Sequence, residues 1–280
     1  HLDYHKTFEN YFNAKKLLFK QSRMAVINKD DPYANRMMEG LDIPVMTFGI
    51  REKADVTASE IDITTRGVQF DFNYKNITSR FNVPIPGLFS VFNAIGAATV
   101  ALSLGWNLDS IKYGLEHMMS VSGRLEPLPT GKNEFTVLLD YAHTPDALEN
   151  VLKTVKGFAT GRIVTLFGCG GDRDRTKRPI MGEIGGRLAG YCIITSDNPR
   201  TEDPAKILED VEVGVKKTDC PYEKIVDRRE AIQKAVAMAE AGDVILIAGK
   251  GHETYQIFPD KTIHFDDIEE VRKAFGEDCL

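Results

Sequence analysis

Four short segments of this chain gather residue types that do chemistry. Asp140-Tyr141-Ala142-His143-Thr144-Pro145 puts a carboxylate, a phenol and an imidazole side by side. Gly168-Cys169-Gly170-Gly171-Asp172-Arg173-Asp174-Arg175 joins glycines, whose bare backbone a ligand can approach closely, to alternating charge. Ser196-Asp197-Asn198-Pro199-Arg200 and Gly249-Lys250-Gly251-His252-Glu253 repeat that combination. Such groups suit a small zwitterionic or anionic ligand, with cations for its carboxylates and carboxylates for its ammonium groups. Near the start, His1, Asp3 and His5 alternate, which could supply a metal ligand, and Lys15 follows them. Asn93 stands inside an apolar run, where a buried amide needs a partner or a base edge.

Each segment also has a plain structural explanation. Glycine-rich runs make tight turns, Asp-Asn-Pro is good turn chemistry, and His252 could be an ordinary loop residue. A histidine near a terminus is usually solvated, and Asn93 could make only a helix-packing hydrogen bond. The placement of the four segments argues otherwise, because each follows a short apolar strand. Those strands are expected at 135–140, 162–167, 191–195 and 243–248, with a further one at 222–226. Amphipathic helices lie between them, and this alternation implies βαβ units in a mostly parallel sheet. In an open parallel sheet, ligands bind outside the carboxyl ends of the strands. The loop after 222–226 is the exception: Asp227 and Glu230 there fit a capping box. A hairpin at 255–265 and a helix opening at Asp266, with Glu269 completing a capping box, are expected to close the domain.

The first part of the chain reads as mixed. Thr7 can cap a helix over 8–20, and strands are expected at 23–28 and 44–49. Period-two alternation around Val68, Phe70 and Phe72 predicts half-buried hairpins over 55–83. A buried helix is expected over 88–104, then one capped by Asn107 or Asp109. Residues 120–131, rich in Gly, Pro and Ser, are the expected linker, so the two expected domains are 1–123 and 124–280.

Composition narrows the function classes. At 42% hydrophobic and 27% charged, the 280 residues are an ordinary globular mix. A net charge of -6 argues against a nucleic-acid surface. No apolar run approaches the roughly 20 residues needed to span a bilayer, and no signal-peptide pattern opens the chain. The four scattered cysteines form no CxxC pair and are expected to be reduced thiols in a cytoplasmic protein. Lacking an initiator Met, the chain is expected to be preceded by further sequence.

Taken together, HLDYHKTFENYFNAKKLLF, GLFSVFNAIGAA, SGRLEP, LLDYAHTPDAL, FGCGGDRDRTKRPIMG, TSDNPRTEDP and AGKGHETYQ resemble the Mur ligases across essentially the whole chain. DYAHTP, GGDRD and GKGHE point to the members that add the third peptide residue in peptidoglycan synthesis. Folylpolyglutamate synthetases share the architecture but fit these motifs poorly. The resemblance implies an α/β protein: the remainder of a central ATPase domain, then a Rossmann-like domain that receives the amino acid. It implies ATP-dependent joining of meso-diaminopimelate to the UDP-N-acetylmuramoyl dipeptide, with Mg2+, by a monomer that uses neither nucleic acid nor membrane. His1 is implied as a magnesium ligand, and Lys15 as a lysine that becomes carbamylated beside that metal. Asn93 is implied to meet the adenine, and Arg124, Asp140 and His143 to lie on the nucleotide side. Arg173, Asp197, Asn198, Pro199, Arg200, Gly249 and Glu253 are implied as the pocket for the diamino acid. Within the family, Arg200 after Pro199 resembles the diaminopimelate form rather than the lysine-adding form. No G-x-x-x-x-G-K-[ST] phosphate loop occurs in these 280 residues, so a binding module without catalysis is the rival reading.

Overall fold

The structure is a computed structural model and describes residues 5–64, 66–118 and 122–276. The chain forms two compact units, His1–Ile63 with Gly67–Met118, and Thr64–Arg66 with Met119–Leu280.

In the first unit, Thr7 caps helix α1 (Phe8–Lys16) by accepting from the Asn10 N–H at 3.1 Å. The turn that follows, Leu17–Gln21, is a 3-10 helix, so the expected helix over 8–20 tightens at its end. Strands β1 (Ala25–Asn28), β2 (Val45–Gly49), β3 (Val56–Thr64), β4 (Gly67–Tyr74) and β5 (Ile77–Val83) form one sheet in that order, with helix α2 (Ala34–Met38) between β1 and β2. The pairs β1–β2 and β2–β3 are parallel, whereas β4–β5 is an antiparallel hairpin. Alternation decides which face is buried: Val68, Phe70 and Phe72 join Phe81 and Val83 in a core. Helix α3 (Leu88–Ser103) covers that core with Val91, Ala94, Ile95 and Ala98. Ser90 and Thr99 are buried along the same stripe. Asn93 lies on the exposed side of α3, so the expectation of a buried amide needing a partner is corrected. Asn107, not Asp109, caps helix α4 (Leu108–Glu116), accepting from the Ser110 N–H at 2.8 Å.

In the second unit, strands β6 (Glu126–Leu128), β7 (Thr136–Asp140), β8 (Ile163–Phe167), β9 (Tyr191–Thr195), β10 (Tyr222–Ile225) and β11 (Val244–Ala248) form a sheet ordered β10-β9-β8-β11-β7-β6. All pairs are parallel except β6–β7. Strands β8 and β11 are buried along their whole length, as expected when helices cover both faces. Helices α5 (Pro145–Lys156), α6 (Lys177–Leu188) and α7 (Pro204–Val215) follow β7, β8 and β9 and pack side by side. After β10 the chain reverses direction across the sheet, so right-handed crossover sends helix α8 (Arg228–Ala237) to the other face. There Ala231, Ile232 and Ala235 pack with Val137, Leu139, Val164, Leu166, Ile245 and Ile247, joined by Val271 of helix α9 (Asp267–Phe275). Strands β12 (Tyr255–Ile257) and β13 (Thr262–His264) form the small hairpin before α9.

Two expectations need correcting here. The proposed linker is structured where it is described: Glu126–Leu128 is the antiparallel edge strand, and an edge is where Pro127 costs no ladder bond. The capping box at Asp266 is incomplete. Asp266 accepts from the Ile268 N–H at 2.8 Å, but Glu269 instead meets His264 Nε2 at 2.9 Å.

Candidate functional site

The parallel strands end on one rim, and a cavity of about 710 Å3 opens there. Each wall comes from a different loop. Tyr141, His143 and Thr144 follow β7, Gly170 and Arg173 follow β8, Asp197, Asn198 and Arg200 follow β9, and Gly249 and Glu253 follow β11. Six of the seven residues expected to receive the amino acid therefore line one cavity. The seventh, Pro199, is buried and outside the lining. Local sequence explains the convergence. Each strand is an apolar run, and each ends at a residue with a short polar side chain or a glycine, which breaks the ladder on the same side of the sheet.

Asn198 organises the site. Its Oδ1 accepts from the Ile257 N–H at 3.0 Å and from Lys250 Nζ at 3.3 Å, which orients Nδ2 to donate to Glu253 Oε2 at 3.0 Å. Glu253 also accepts from the Tyr141 hydroxyl at 3.3 Å. Burial, then the neighbouring carboxylate of Glu253, raises the Tyr141 phenol above its ordinary range, so it stays a donor. Lys250 is 0% exposed. It donates to the Tyr255 carbonyl and lies 3.6 Å from Asp197 Oδ1 and 3.5 Å from Glu253 Oε2. A buried ammonium is stable only with such partners. Gly249 has φ +117, and a Cβ there would meet Asp197 Oδ2 at 3.2 Å, so this turn holds glycine for both reasons.

The loops after β8 and β9 are interlocked. The Gly171 N–H donates to the Asn198 carbonyl at 2.9 Å, and Arg200 Nη1 donates to the Gly171 carbonyl at 2.9 Å. A Cβ on Gly171 would fall 1.9 Å from the Pro199 carbonyl oxygen. Pro199 thus shapes the turn against its neighbour. Arg200 adopts φ +52, and its N–H donates to the Ile257 carbonyl at 3.0 Å, which stabilises this left-handed conformation. A purely structural role for Arg200, an ion pair with Glu202 or Asp203 on the surface, is not what occurs: its guanidinium donates to the Gly171 carbonyl, and Asp203 accepts from the Ala205 N–H. Glu202 is bound by Arg178, which is 0% exposed and also donates to Asp210 at 2.9 Å and to the Gly170 carbonyl at 3.3 Å. The Arg178 guanidinium, then the Asp172 N–H, pulls the Glu202 carboxyl down to about 2.

Of the candidates for the nucleotide side in this unit, His143 lines the cavity, whereas Arg124 and Asp140 are outside its lining. Arg124 is exposed. Asp140 uses one oxygen to accept from the Leu125 N–H and the other from the Ala142 N–H, both at 2.8 Å. Burial raises its carboxyl above the usual range, and these two donors oppose that shift. His143 places Nδ1 2.8 Å from the Tyr141 carbonyl, so Nδ1 carries the hydrogen that this contact uses. In the first unit, Lys15 is exposed, with Nζ 5.6 Å from the centre of the Tyr11 ring. His1 lies outside the described residues. Among the described residues no group of three His, Cys, Asp or Glu side chains is placed to hold a metal ion.

Sequence reasoning missed Lys250, Tyr141 and Lys177. Tyr141 and Lys250 sat inside noted motifs; a lysine after a fully apolar strand was the available signal. Lys177 donates to the His143 carbonyl at 2.8 Å, and nothing local in the sequence indicates that contact. In the loop after β10, Asp227 caps α8, accepting from the Arg229 and Glu230 N–H groups, which is the Asp227 half of the expected capping box. Its neighbour Arg228 was not foreseen. It is buried in a bidentate pair with Asp267, at 2.8 and 2.7 Å, and donates to the Ala248 carbonyl at 3.1 Å.

A parallel sheet with a charged cavity on its carboxyl rim defines an α/β domain suited to binding a small zwitterion. Comparison with known proteins makes the class specific. The Mur ligase middle domain matches residues 1–101, and the Mur ligase glutamate ligase domain matches residues 123–251. The chain belongs to the Mur ligase family. It is 48% identical over 278 residues to UDP-N-acetylmuramoyl-L-alanyl-D-glutamate--2,6-diaminopimelate ligase 1 of Clostridium acetobutylicum, covering 99% of this chain and 57% of that one. A solved structure of a UDP-N-acetylmuramoyl-L-alanyl-D-glutamate--2,6-diaminopimelate ligase is 38% identical, with a TM-score of 0.76, over 99% of this chain and 58% of that one. Folylpolyglutamate synthase of Thermotoga maritima, 21% identical with a TM-score of 0.62, covers 80% of this chain and 50% of its own and shares the fold. The chain thus spans little more than half the length of the curated relatives it matches.

Proposed function

We propose that this chain receives meso-diaminopimelate in an ATP-dependent ligase that extends UDP-N-acetylmuramoyl-L-alanyl-D-glutamate during peptidoglycan synthesis. The observation that carries the reading is the rim cavity, where Arg200 and Glu253 share one lining and Asn198, on the Arg200 loop, donates to Glu253. Meso-diaminopimelate differs from lysine by a carboxylate beside its second ammonium. A guanidinium matches that carboxylate, and a carboxylate matches the ammonium. Arg173, exposed on the neighbouring loop, adds a second positive contact. The similarity to 2,6-diaminopimelate ligases supports the same choice.

In the proposed reaction ATP phosphorylates the dipeptide carboxylate, releasing ADP. The free amine of the bound diamino acid then attacks the acyl phosphate; an amide bond forms, phosphate leaves and the amine gives up a proton. The residues described here hold the far end of the diamino acid and leave its other amine free, so their contribution is orientation. Asn93, Arg124, Asp140 and His143 are assigned by resemblance to the nucleotide, and His1 and Lys15 to magnesium. Lys15 would serve there only as a carbamate, because an ammonium beside a divalent cation is repelled. We place the reaction in the cytoplasm, where its nucleotide substrates are made. Among the described residues no helix is long and apolar enough to cross a membrane.

The test is kinetic. The complete gene product should show a higher kcat/KM for meso-diaminopimelate than for lysine, and residues 1–280 alone should not turn over. A preference for lysine would refute the assignment of the pocket.

A further inference from the structure

We propose that Lys250, which lies beneath the cavity rather than in its wall, determines specificity by setting the charge that the cavity presents. The proposal rests on the reading of the rim as a diamino-acid pocket. Three cations and three carboxylates line the cavity: Arg173, Lys177 and Arg200 against Asp174, Asp197 and Glu253. The walls alone are therefore balanced. Lys250 adds one positive charge from below. It is fully buried, and its ammonium lies 3.6 Å from Asp197 and 3.5 Å from Glu253, the two acidic groups that an incoming ammonium would meet. A charge at this depth is screened far less than one on the surface.

The consequence differs for two ligands of similar length. Meso-diaminopimelate carries two carboxylates and two ammonium groups and has no net charge. Lysine lacks the distal carboxylate and carries one net positive charge. With Lys250 present, the site has an excess positive charge that repels lysine and leaves the neutral zwitterion unaffected, while Arg200 supplies the direct contact to the extra carboxylate. Lys250 also fixes the Asn198 amide with its oxygen inward at 3.3 Å, so that Nδ2 faces Glu253. Because it acts through Asp197, Asn198 and Glu253, Lys250 is a positioning residue and does not itself touch the ligand.

Calorimetric titration of residues 1–280 with meso-diaminopimelate and with L-lysine tests this. In Lys250→Met the ratio of the two dissociation constants should move at least tenfold toward lysine, chiefly through tighter lysine binding. Lys250→Arg, which keeps the charge, should leave the ratio within threefold of the unmodified chain. If Lys250 were merely structural, both ligands would weaken together at a constant ratio, and that result overturns the proposal. Should Lys250→Met lack a cooperative melt, Lys250→Gln takes its place with the same two readings. An unmodified chain that binds neither amino acid, or prefers lysine, overturns the pocket assignment and this proposal with it. An unmodified chain that prefers diaminopimelate, with an unchanged ratio in the variant, overturns this proposal alone.

Discussion

On the carboxyl rim of the second unit, Asn198 is bonded to Glu253, Lys250 and the Ile257 backbone, and Arg200 is bonded to the loop beside it. In the first unit, Lys15 is exposed over the Tyr11 ring and Asn93 is exposed on α3. The rim side chains are held in place by their own chain before any ligand arrives, so little ordering cost remains to be met on binding. The first-unit candidates have no comparable set of mutual contacts among the described residues, and their roles depend on what a nucleotide or metal would bring. A preorganised site should lose affinity by increments when one contact is removed. A site assembled around a ligand should fail outright when its key group is lost.

The largest effect is therefore expected in the first unit. Lys15→Ala in the complete gene product should lower kcat at least ten-thousandfold, about 5.5 kcal/mol in barrier, with partial rescue by short carboxylates. Full activity of that variant in a steady-state assay would erase the contrast between the units. Next comes a change of stability rather than rate. Asp267→Ala strands the guanidinium of Arg228, both being 0% exposed. Removing one partner of a buried pair costs about 3–5 kcal/mol, read as a lower urea midpoint for the second unit. Arg200→Ala should weaken meso-diaminopimelate by about one to two orders of magnitude, the worth of a charge-assisted contact, and lysine much less. Equal weakening of both in a titration would mean that Arg200 serves the loop and not the ligand. The smallest effect is a pH dependence. Glu202 has its pKa pulled from 4.5 to about 2 by Arg178. A depressed carboxyl stabilises the fold above its unfolded value, and that contribution is lost as pH falls from about 4.5 toward 2. Glu202→Gln should flatten this part of the melting-temperature profile and leave its neutral region parallel to that of the unmodified chain.

The same contrast governs how much could be read from the residues alone. Four of the five parallel strands were legible as short apolar runs bounded by polar turns, and β10 (Tyr222-Glu223-Lys224-Ile225) by its place in the strand–helix alternation; parallel order then places their ends on one rim. Asn93 was misjudged because an apolar composition hides which stripe of a helix faces the core; only the partner sheet decides that. Glu126–Leu128 looked like linker because Pro and Gly suggest a break, yet an edge strand tolerates both. Lys250 escaped notice because a lysine is ordinarily solvated, and its burial depends on Asn198, 52 residues away, meeting it beside its near neighbours Glu253 and Tyr255. Arg228 was missed for the same reason, its partner Asp267 being 39 residues away.

The locked pair of loops after β8 and β9 bears on how such a protein can be altered. With the Gly171 backbone packed against the Pro199 carbonyl and tied to Asn198 and Arg200, neither loop can be exchanged alone without a collision or a lost bond. The two segments form a single cassette split across the gene. Swapping 168–175 and 196–202 together from a relative with another substrate should transplant cleanly, whereas either half alone should yield a misfolded chimera, and changes at these positions should be inherited as pairs.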